Sequence, residues 1–266
     1  MTDDDASAAR LLAAYDAQLR TDAETTDALD VRELGPLRLA AFPGGRGFIT
    51  YADLGGLDEE GIRELVPAAL ARFRDDPAIT AVEWKTRGHD RAPGLDGILR
   101  AHGFAPEERE TIMLGEARGL AVDVTLPDGV TLRRVTAEAD VRAMSAMQDE
   151  VFGDAVSSDH ADAILRRLEL DDAMELWVAE ADGRVVTAGR LQPVPGSDFA
   201  GIWGGATVPR WRSRGIYRAL TAARARSALA AGRTLIHSDS TDLSRPILER
   251  SGLLACSTTT PYAWSR

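Results

Sequence analysis

Apolar residues recur along the chain with two periods, and the alternation between them lays out the elements. Over residues 8–20, Leu11, Leu12, Tyr15 and Leu19 share one helical face. Strands are predicted at 37–42 and 47–51, joined by the turn Pro43-Gly44-Gly45-Arg46. A helical pattern covers 57–73, where Asp58, Glu59 and Glu60 suit the positive end of a helix. A strand at 79–85, a short helix at 95–101 stopped by Gly103, and a strand at 111–114 follow.

The pattern breaks over 115–128, which holds Gly119 and Pro127, and two domains are expected, 1–118 and 119–266. In the second, strands are predicted at 130–135, 174–180, 184–193, 199–208 and 234–238, with a β segment running to Trp264. Helices are predicted at 137–152, 158–168, 215–231 and 244–250, and Asp182-Gly183 marks a hairpin. The order β-α-α-β-β-β-α-β-α-β implies an α/β layered domain. The halves also echo one another. Ile98-Leu99-Arg100-Ala101-His102-Gly103-Phe104 resembles Ile247-Leu248-Glu249-Arg250-Ser251-Gly252-Leu253, and the helix at Gly61-Ile62 parallels the one at Gly215-Ile216. A period near 150 residues suggests duplication of a domain.

Composition narrows the class. Apolar residues make up 44% of the 266, enough for a core. The net charge of −11 argues against a nucleic-acid partner, whose affinity comes from a basic surface. An acidic field steers cations inward, and it also simply keeps a protein in solution. Cys256 is the single cysteine, so no intrachain disulfide is possible. The chain opens on acidic and polar residues, without a basic start and apolar run, and no stretch approaches membrane-spanning length. A cytoplasmic protein without a membrane partner is expected. No histidine or cysteine spacing suits a metal.

The segment Val208-Pro209-Arg210-Trp211-Arg212-Ser213-Arg214-Gly215-Ile216-Tyr217-Arg218-Ala219-Leu220 carries the chemistry. A strand gives way to a helix through a loop bearing Arg210, Arg212 and Arg214. A helix N-terminus has unpaired N–H groups and a positive dipole end, so a pyrophosphate there meets several donors at once. Gly215, without a Cβ, lets the backbone come close, and arginines add charge-assisted donors. The bland alternative is a basic turn before an amphipathic helix.

This segment resembles the GNAT superfamily of acyl-CoA-dependent acyltransferases, whose signature is Q/R-x-x-G-x-G/A after a strand ending near Val-Pro. Arg212-Ser213-Arg214-Gly215-Ile216-Tyr217 fits it, with Tyr217 in place of the last small residue. The resemblance covers 130–264 well and 35–114 faintly. It implies two GNAT-like lobes, each a mixed, mostly antiparallel sheet flanked by helices, and acetyl-CoA as acyl donor with no metal. It further implies that the loop amides, including those of Ser213, Gly215 and Ile216, bind the CoA pyrophosphate. Thr207 and Val208 would pair with the pantetheine arm, and one of their N–H groups would hold the oxyanion. Ser244 occupies the place of a frequent asparagine, and Leu248 that of a tyrosine proposed to protonate the leaving thiolate. Asp239 is the best placed candidate base and Asp198 the second. Solvated strand-end carboxylates are the ordinary alternative for both. His237 reads as a packed strand histidine, Asp159 as a helix N-cap beside His160. Trp203, Trp211, Tyr217 and Trp264 would form an acceptor wall or pack the core.

In the first lobe Asp58-Glu59-Glu60-Gly61 would repel a pyrophosphate, so this lobe is expected to be degenerate. The implied activity is transfer of acetyl to the amine of a small-molecule acceptor, directly within a ternary complex, by a monomer or homodimer with one active site per chain. A non-catalytic CoA-binding or regulatory module is the alternative.

Overall fold

The computed structural model describes residues 3–20 and 22–266. In chain order it contains α1 (Asp3–Leu19), a 3-10 turn (Asp22–Thr25), β1 (Asp30–Leu34), β2 (Leu37–Phe42), β3 (Arg46–Thr50), α2 (Glu59–Arg74), β4 (Ala81–Arg87), α3 (Leu95–Ala101), β5 (Ala105–Pro106), β6 (Glu110–Glu116) and α4 (Ala117–Leu120). Then come β7 (Val130–Val135), α5 (Glu138–Phe152), α6 (Ser158–Leu170), β8 (Glu175–Ala181), β9 (Arg184–Pro193), β10 (Phe199–Thr207), a 3-10 turn (Pro209–Trp211), α7 (Ile216–Ala230), β11 (Leu235–Ser240), α8 (Arg245–Ser251) and β12 (Leu254–Ser265). The predicted elements all appear, with bounds shifted by a few residues. β1 was not anticipated: Asp30, Val31, Arg32 and Glu33 are all exposed, so no alternation marks it.

The chain forms two compact units, and neither is one continuous stretch. The first takes the residues up to Ile112 together with Asp239–Asp242 and Ala255–Arg266; the second takes Met113–Ser238 and Leu243–Leu254. Hydrophobic patterning locates strands but not their partners, so a linear division after residue 118 carries no trace of the C-terminal strand joining the first unit.

Within the first unit β1, β2 and β3 are successive antiparallel neighbours, β3 and β4 are parallel, and β12 lies antiparallel to β4. Helix α2 makes the crossover between the parallel strands. Its Ile62, Val66, Ala69, Leu70 and Phe73 recur at helical spacing and pack with Ile49, Val82 and Trp84 in one core. Gly47 on β3 has no side chain because the Phe73 ring fills that space.

The second unit repeats the plan. β7, β8, β9 and β10 are antiparallel neighbours, β10 and β11 are parallel, and α7 makes the crossover. The β8–β9 turn has Asp182 at φ 51° and Gly183 at φ 69°, the left-handed pair that a tight hairpin demands. α5 and α6 pack on one sheet face through Val141, Met144 and Ile164, against Val178, Ala188 and Ala206. α7 packs on the other through Ala225 and Ala228, against Leu191, Ala200 and Ile202.

The short repeat read from sequence is the same helix stop used twice. α3 ends before Gly103 at φ 90°, and the Phe104 N–H reaches the Leu99 carbonyl at 3.1 Å. α8 ends at Gly252, φ 106°, and the Leu253 N–H reaches the Leu248 carbonyl, also at 3.1 Å. Only glycine adopts such angles without strain. Gly252→Ala has room for its methyl, so backbone strain alone should lower stability by about 1–2 kcal/mol. The urea midpoint should shift accordingly, with a smaller loss for Gly252→Asn.

Candidate active site

The site grows from an irregularity in β10. Trp203 stands opposite Arg190 and Ala206 opposite Ala188, so β10 carries one extra residue against β9. Gly204 in this bulge takes φ 59°, and its carbonyl accepts from Gln148 Nε2 of α5 at 2.6 Å. On its other edge β10 pairs with β11 only from Phe199/Leu235 to Gly201/His237. The Ser238 hydroxyl of β11 still donates to the Ile202 carbonyl at 2.9 Å; from there to Thr207 β10 has no strand pairing on that edge, a run of about 17 Å.

Antiparallel ladders alternate, and this decides which strand-end amide is available. Val208 N–H donates to the Val186 carbonyl at 2.9 Å, so it faces β9. Thr207, opposite Thr187, therefore turns its N–H and carbonyl to the open edge. Its carbonyl accepts from Arg212 Nε at 3.1 Å, and its hydroxyl accepts from that of Thr187 at 3.1 Å. Of the two expected oxyanion donors, Val208 is already engaged, and Thr207 is the one that faces outward.

The loop then makes a 3-10 turn and two left-handed steps, Ser213 at φ 60° and Gly215 at φ 80°. Gly215 is the N-cap of α7, and no side chain caps this helix. Its first N–H groups thus keep their donor capacity toward solvent. Arg212, Ser213, Arg214 and Gly215 are exposed around them, with the Arg214 guanidinium 4.9 Å over the Trp211 ring. Ile216 contributes only its backbone: its side chain is buried with Val130, Ala179 and Val186 and anchors the start of α7.

Tyr217 has a local explanation. Its phenol lies where a Cβ on Gly205 would stand, so the tyrosine packs onto the bulge and Gly205 makes the room. Beneath it is Arg224, fully buried, whose Nη1 donates to the Arg190 carbonyl at 3.2 Å and whose Nη2 donates to Thr221 Oγ1 at 3.3 Å. Burial pulls this guanidinium below its usual range, and the neighbouring Tyr217 phenol works the other way. Gly189 on β9 is the space Arg224 occupies. The sequence reading missed Gly205 and Arg224. The Gly204-Gly205 pair inside a strand was the signal for the bulge; nothing local marks a buried arginine.

Other expected residues fall elsewhere. Asp198 is exposed and precedes β10, nine residues before Thr207, so about 30 Å of strand separates it from the loop. Asp239 lies in the first unit, its Oδ2 3.0 Å from Lys85 Nζ. Burial alone would lower the Lys85 ammonium, but Asp239, Tyr15 and Glu24 together hold it above its usual range. Ser244 is the N-cap of α8 without a side-chain cap bond, and Leu248 is buried in the α7-side core. His237 is packed edge-on against Phe199 and Trp203, at 5.8 and 5.1 Å. Trp264 belongs to the first unit, where its ring lies beneath Arg74, whereas Trp203, Trp211 and Tyr217 belong to the second. The cap of α6 is Ser157, which accepts from the Asp159 N–H at 3.0 Å, rather than Asp159. His160 Nδ1 lies 3.2 Å from Asp149 Oδ1.

Comparison with known proteins agrees with this geometry. Residues 141–245 match the model of the Acetyltransferase (GNAT) family. No curated protein matches the chain in sequence. Among solved structures, a GCN5-related N-acetyltransferase from Kribbella flavida superposes with a TM-score of 0.66 at 16% identity, over 99% of this chain and 96% of that one. One from Sphaerobacter thermophilus gives 0.61 at 18%, over 98% and 93%. A tandem GNAT protein from the clavulanic acid biosynthesis pathway gives 0.63 at 15%, over 86% and 78%. The resemblance to the GNAT superfamily is borne out, and with it the two-lobed α/β fold.

The bulge packing is open to a double-mutant cycle. Gly205→Ala should cost about 1–3 kcal/mol by forcing the phenol aside. Combined with Tyr217→Ala, the double variant should be more stable than the sum of the single losses predicts. Simple additivity in urea melts would mean that the two do not touch.

Proposed function

We propose that the chain is an N-acetyltransferase that moves an acetyl group from acetyl-CoA to the amine of a small-molecule acceptor, by direct transfer in a ternary complex. The observation that carries this is the uncapped N-terminus of α7, opened by Gly215 and flanked by Arg212 and Arg214, at the end of a strand whose neighbour has departed. The chemistry of this donor set fits a pyrophosphate: backbone N–H groups at a positive helix end plus guanidinium charge. In this reading Arg212, Ser213, Arg214, Gly215, Ile216 and Tyr217 hold the pyrophosphate, and Ser244 lies alongside. The Thr207 carbonyl, which also accepts from Arg212, meets the pantetheine arm, with Val208 shaping the turn.

Bound acetyl-CoA would supply an activated thioester. The protein's part is to hold it in line, to exclude water and to place a donor where negative charge develops on the carbonyl oxygen. The Thr207 N–H suits that last task because its direction is fixed by the ladder. Asp239 is held by Lys85, and Asp198 lies at the far end of β10, so the amine proton is assigned to neither.

We place the working site in the region 119–266, with the first lobe degenerate. Two observations support this. Helix α2, the counterpart of α7, is capped by its own Asp58, whose Oδ1 accepts from the Gly61 N–H at 2.9 Å, with Glu59 and Glu60 beside it. Past the paired part of β3 and β4, Arg87 is fully buried against Glu24 and donates to Thr50 Oγ1 at 3.1 Å. Side chains of the unit's own thus fill the positions an acyl-CoA would need. The buried Leu248, where the family's acid often stands, favours a second reading, a CoA-binding module without turnover.

Isothermal titration with acetyl-CoA tests the site. The Arg212→Ala, Arg214→Glu double variant should bind about 100-fold more weakly than wild type. Equal affinity would remove the loop assignment. Release of free CoA thiol with an amine panel separates the readings, because binding without any turnover favours the second.

A further inference from the structure

The second unit contains an arginine that the acyl-donor site does not use. Arg190 sits midway along β9, opposite Leu176 of β8 and Trp203 of β10. Its neighbours Gly189 and Leu191 face α7, so Arg190 projects to the α5–α6 side, the face of Ala188. It is largely buried there. Its Nε is enclosed, and among the described residues its side chain makes no hydrogen bond or ion pair.

Its surroundings do not neutralise it. Burial, reinforced by the like charge of Arg167 on α6, pulls its guanidinium down to about 10 against the weaker pull of Asp171. Asp171 is turned to other partners, the Ala173 N–H at 3.0 Å and Gln192 Nε2 at 3.5 Å. A desolvated cation without a counter-ion is costly. Beside it stands an aromatic surface, Trp203 with the His237 ring edge-on at 5.1 Å, next to the β10 bulge. A planar fork of donors on β9, beside aromatic rings of β10 and β11, is the recognition chemistry of a small carboxylate.

We infer that Arg190, flanked by Trp203 and His237, binds a carboxylate of the acceptor, so that the acceptor is an amino carboxylate carrying its amine and its anion on one small molecule. This rests on the acetyl-transfer reading above.

The test uses matched acceptors in the CoA-release assay: amino acids, their C-terminal carboxamides at equal free-amine concentration, and putrescine. Wild type should favour the carboxylates in kcat/KM by about 30- to 100-fold. Arg190→Gln should erase that preference by lowering kcat/KM for the carboxylates far more than for the carboxamides, and Arg190→Lys should restore part of it. A wild-type preference for carboxamides or putrescine overturns the inference, as does an equal loss on both classes in Arg190→Gln. A second measurement needs no turnover: the 15N Nε resonance of Arg190 is followed during titration with sodium acetate and, separately, with acetamide. A saturable shift with acetate alone supports the carboxylate site; no shift, or the same shift with acetamide, overturns it. Acetyl-CoA titration of wild type fails only if the acetyl-transfer reading fails, so the two outcomes are distinguishable.

Discussion

Backbone amides that have nowhere to go inside the chain organise the second unit. β11 pairs with β10 for three residues and then leaves it. The bulge at Gly204 turns the next carbonyl onto Gln148, and the ladder with β9 holds Thr207 facing outward. A few residues later α7 begins with donors that no side chain caps. Buried backbone groups are almost always paired, so the Thr207 N–H at the strand edge and the first N–H groups of α7 must meet water or a ligand. Much else follows from keeping these donors in place. Ile216 anchors the helix start, Tyr217 fills the bulge, and Arg212 ties the loop back to the Thr207 carbonyl.

The two units show what this constraint does when it is satisfied internally. Both run antiparallel strands into a parallel pair bridged by a helix, and both close the following short helix with the same glycine stop. In the first unit, Asp58 occupies the helix N-terminus with its own carboxylate. An anion supplied in the sequence removes the need for one from solution, and it repels any that arrives. One topology thus carries two different helix starts, an acidic one capped by its own Asp58 and an arginine-flanked one opened by Gly215.

This explains why some features were legible in the sequence and others were not. Period, glycine position and turn chemistry are local, so the hairpin at Asp182-Gly183, the helix stops at Gly103 and Gly252, and the arginine-rich loop could be read directly. Pairing is not local. That Ala255–Arg266 completes the first unit, that Asp239 belongs there with Lys85, and that Trp264 lies far in sequence from the partners it packs on all depend on strands meeting across more than a hundred residues. Asp198 is a different case: it precedes β10 and the loop follows β10, so the length of the strand separates the two. The exposed β1 had no pattern to read at all.

The buried cations carry the contrast between the units furthest. In the first unit each has a carboxylate: Arg87 has Glu24, Lys85 has Asp239, and Arg20 has Asp90 at 2.8 Å with Asp16 at 3.1 Å. In the second, Arg224 rests on a carbonyl and a hydroxyl, and Arg190 on nothing among the described residues. Acidic residues are not scarce, since they outnumber the basic ones 42 to 31. The chain therefore had the means to neutralise both arginines and does so routinely elsewhere. Desolvating a charge without a partner is unfavourable wherever it happens. Its concentration in one unit, on both faces of β9 and beside the bulged strand, fits a protein whose missing counter-ions arrive with its ligands.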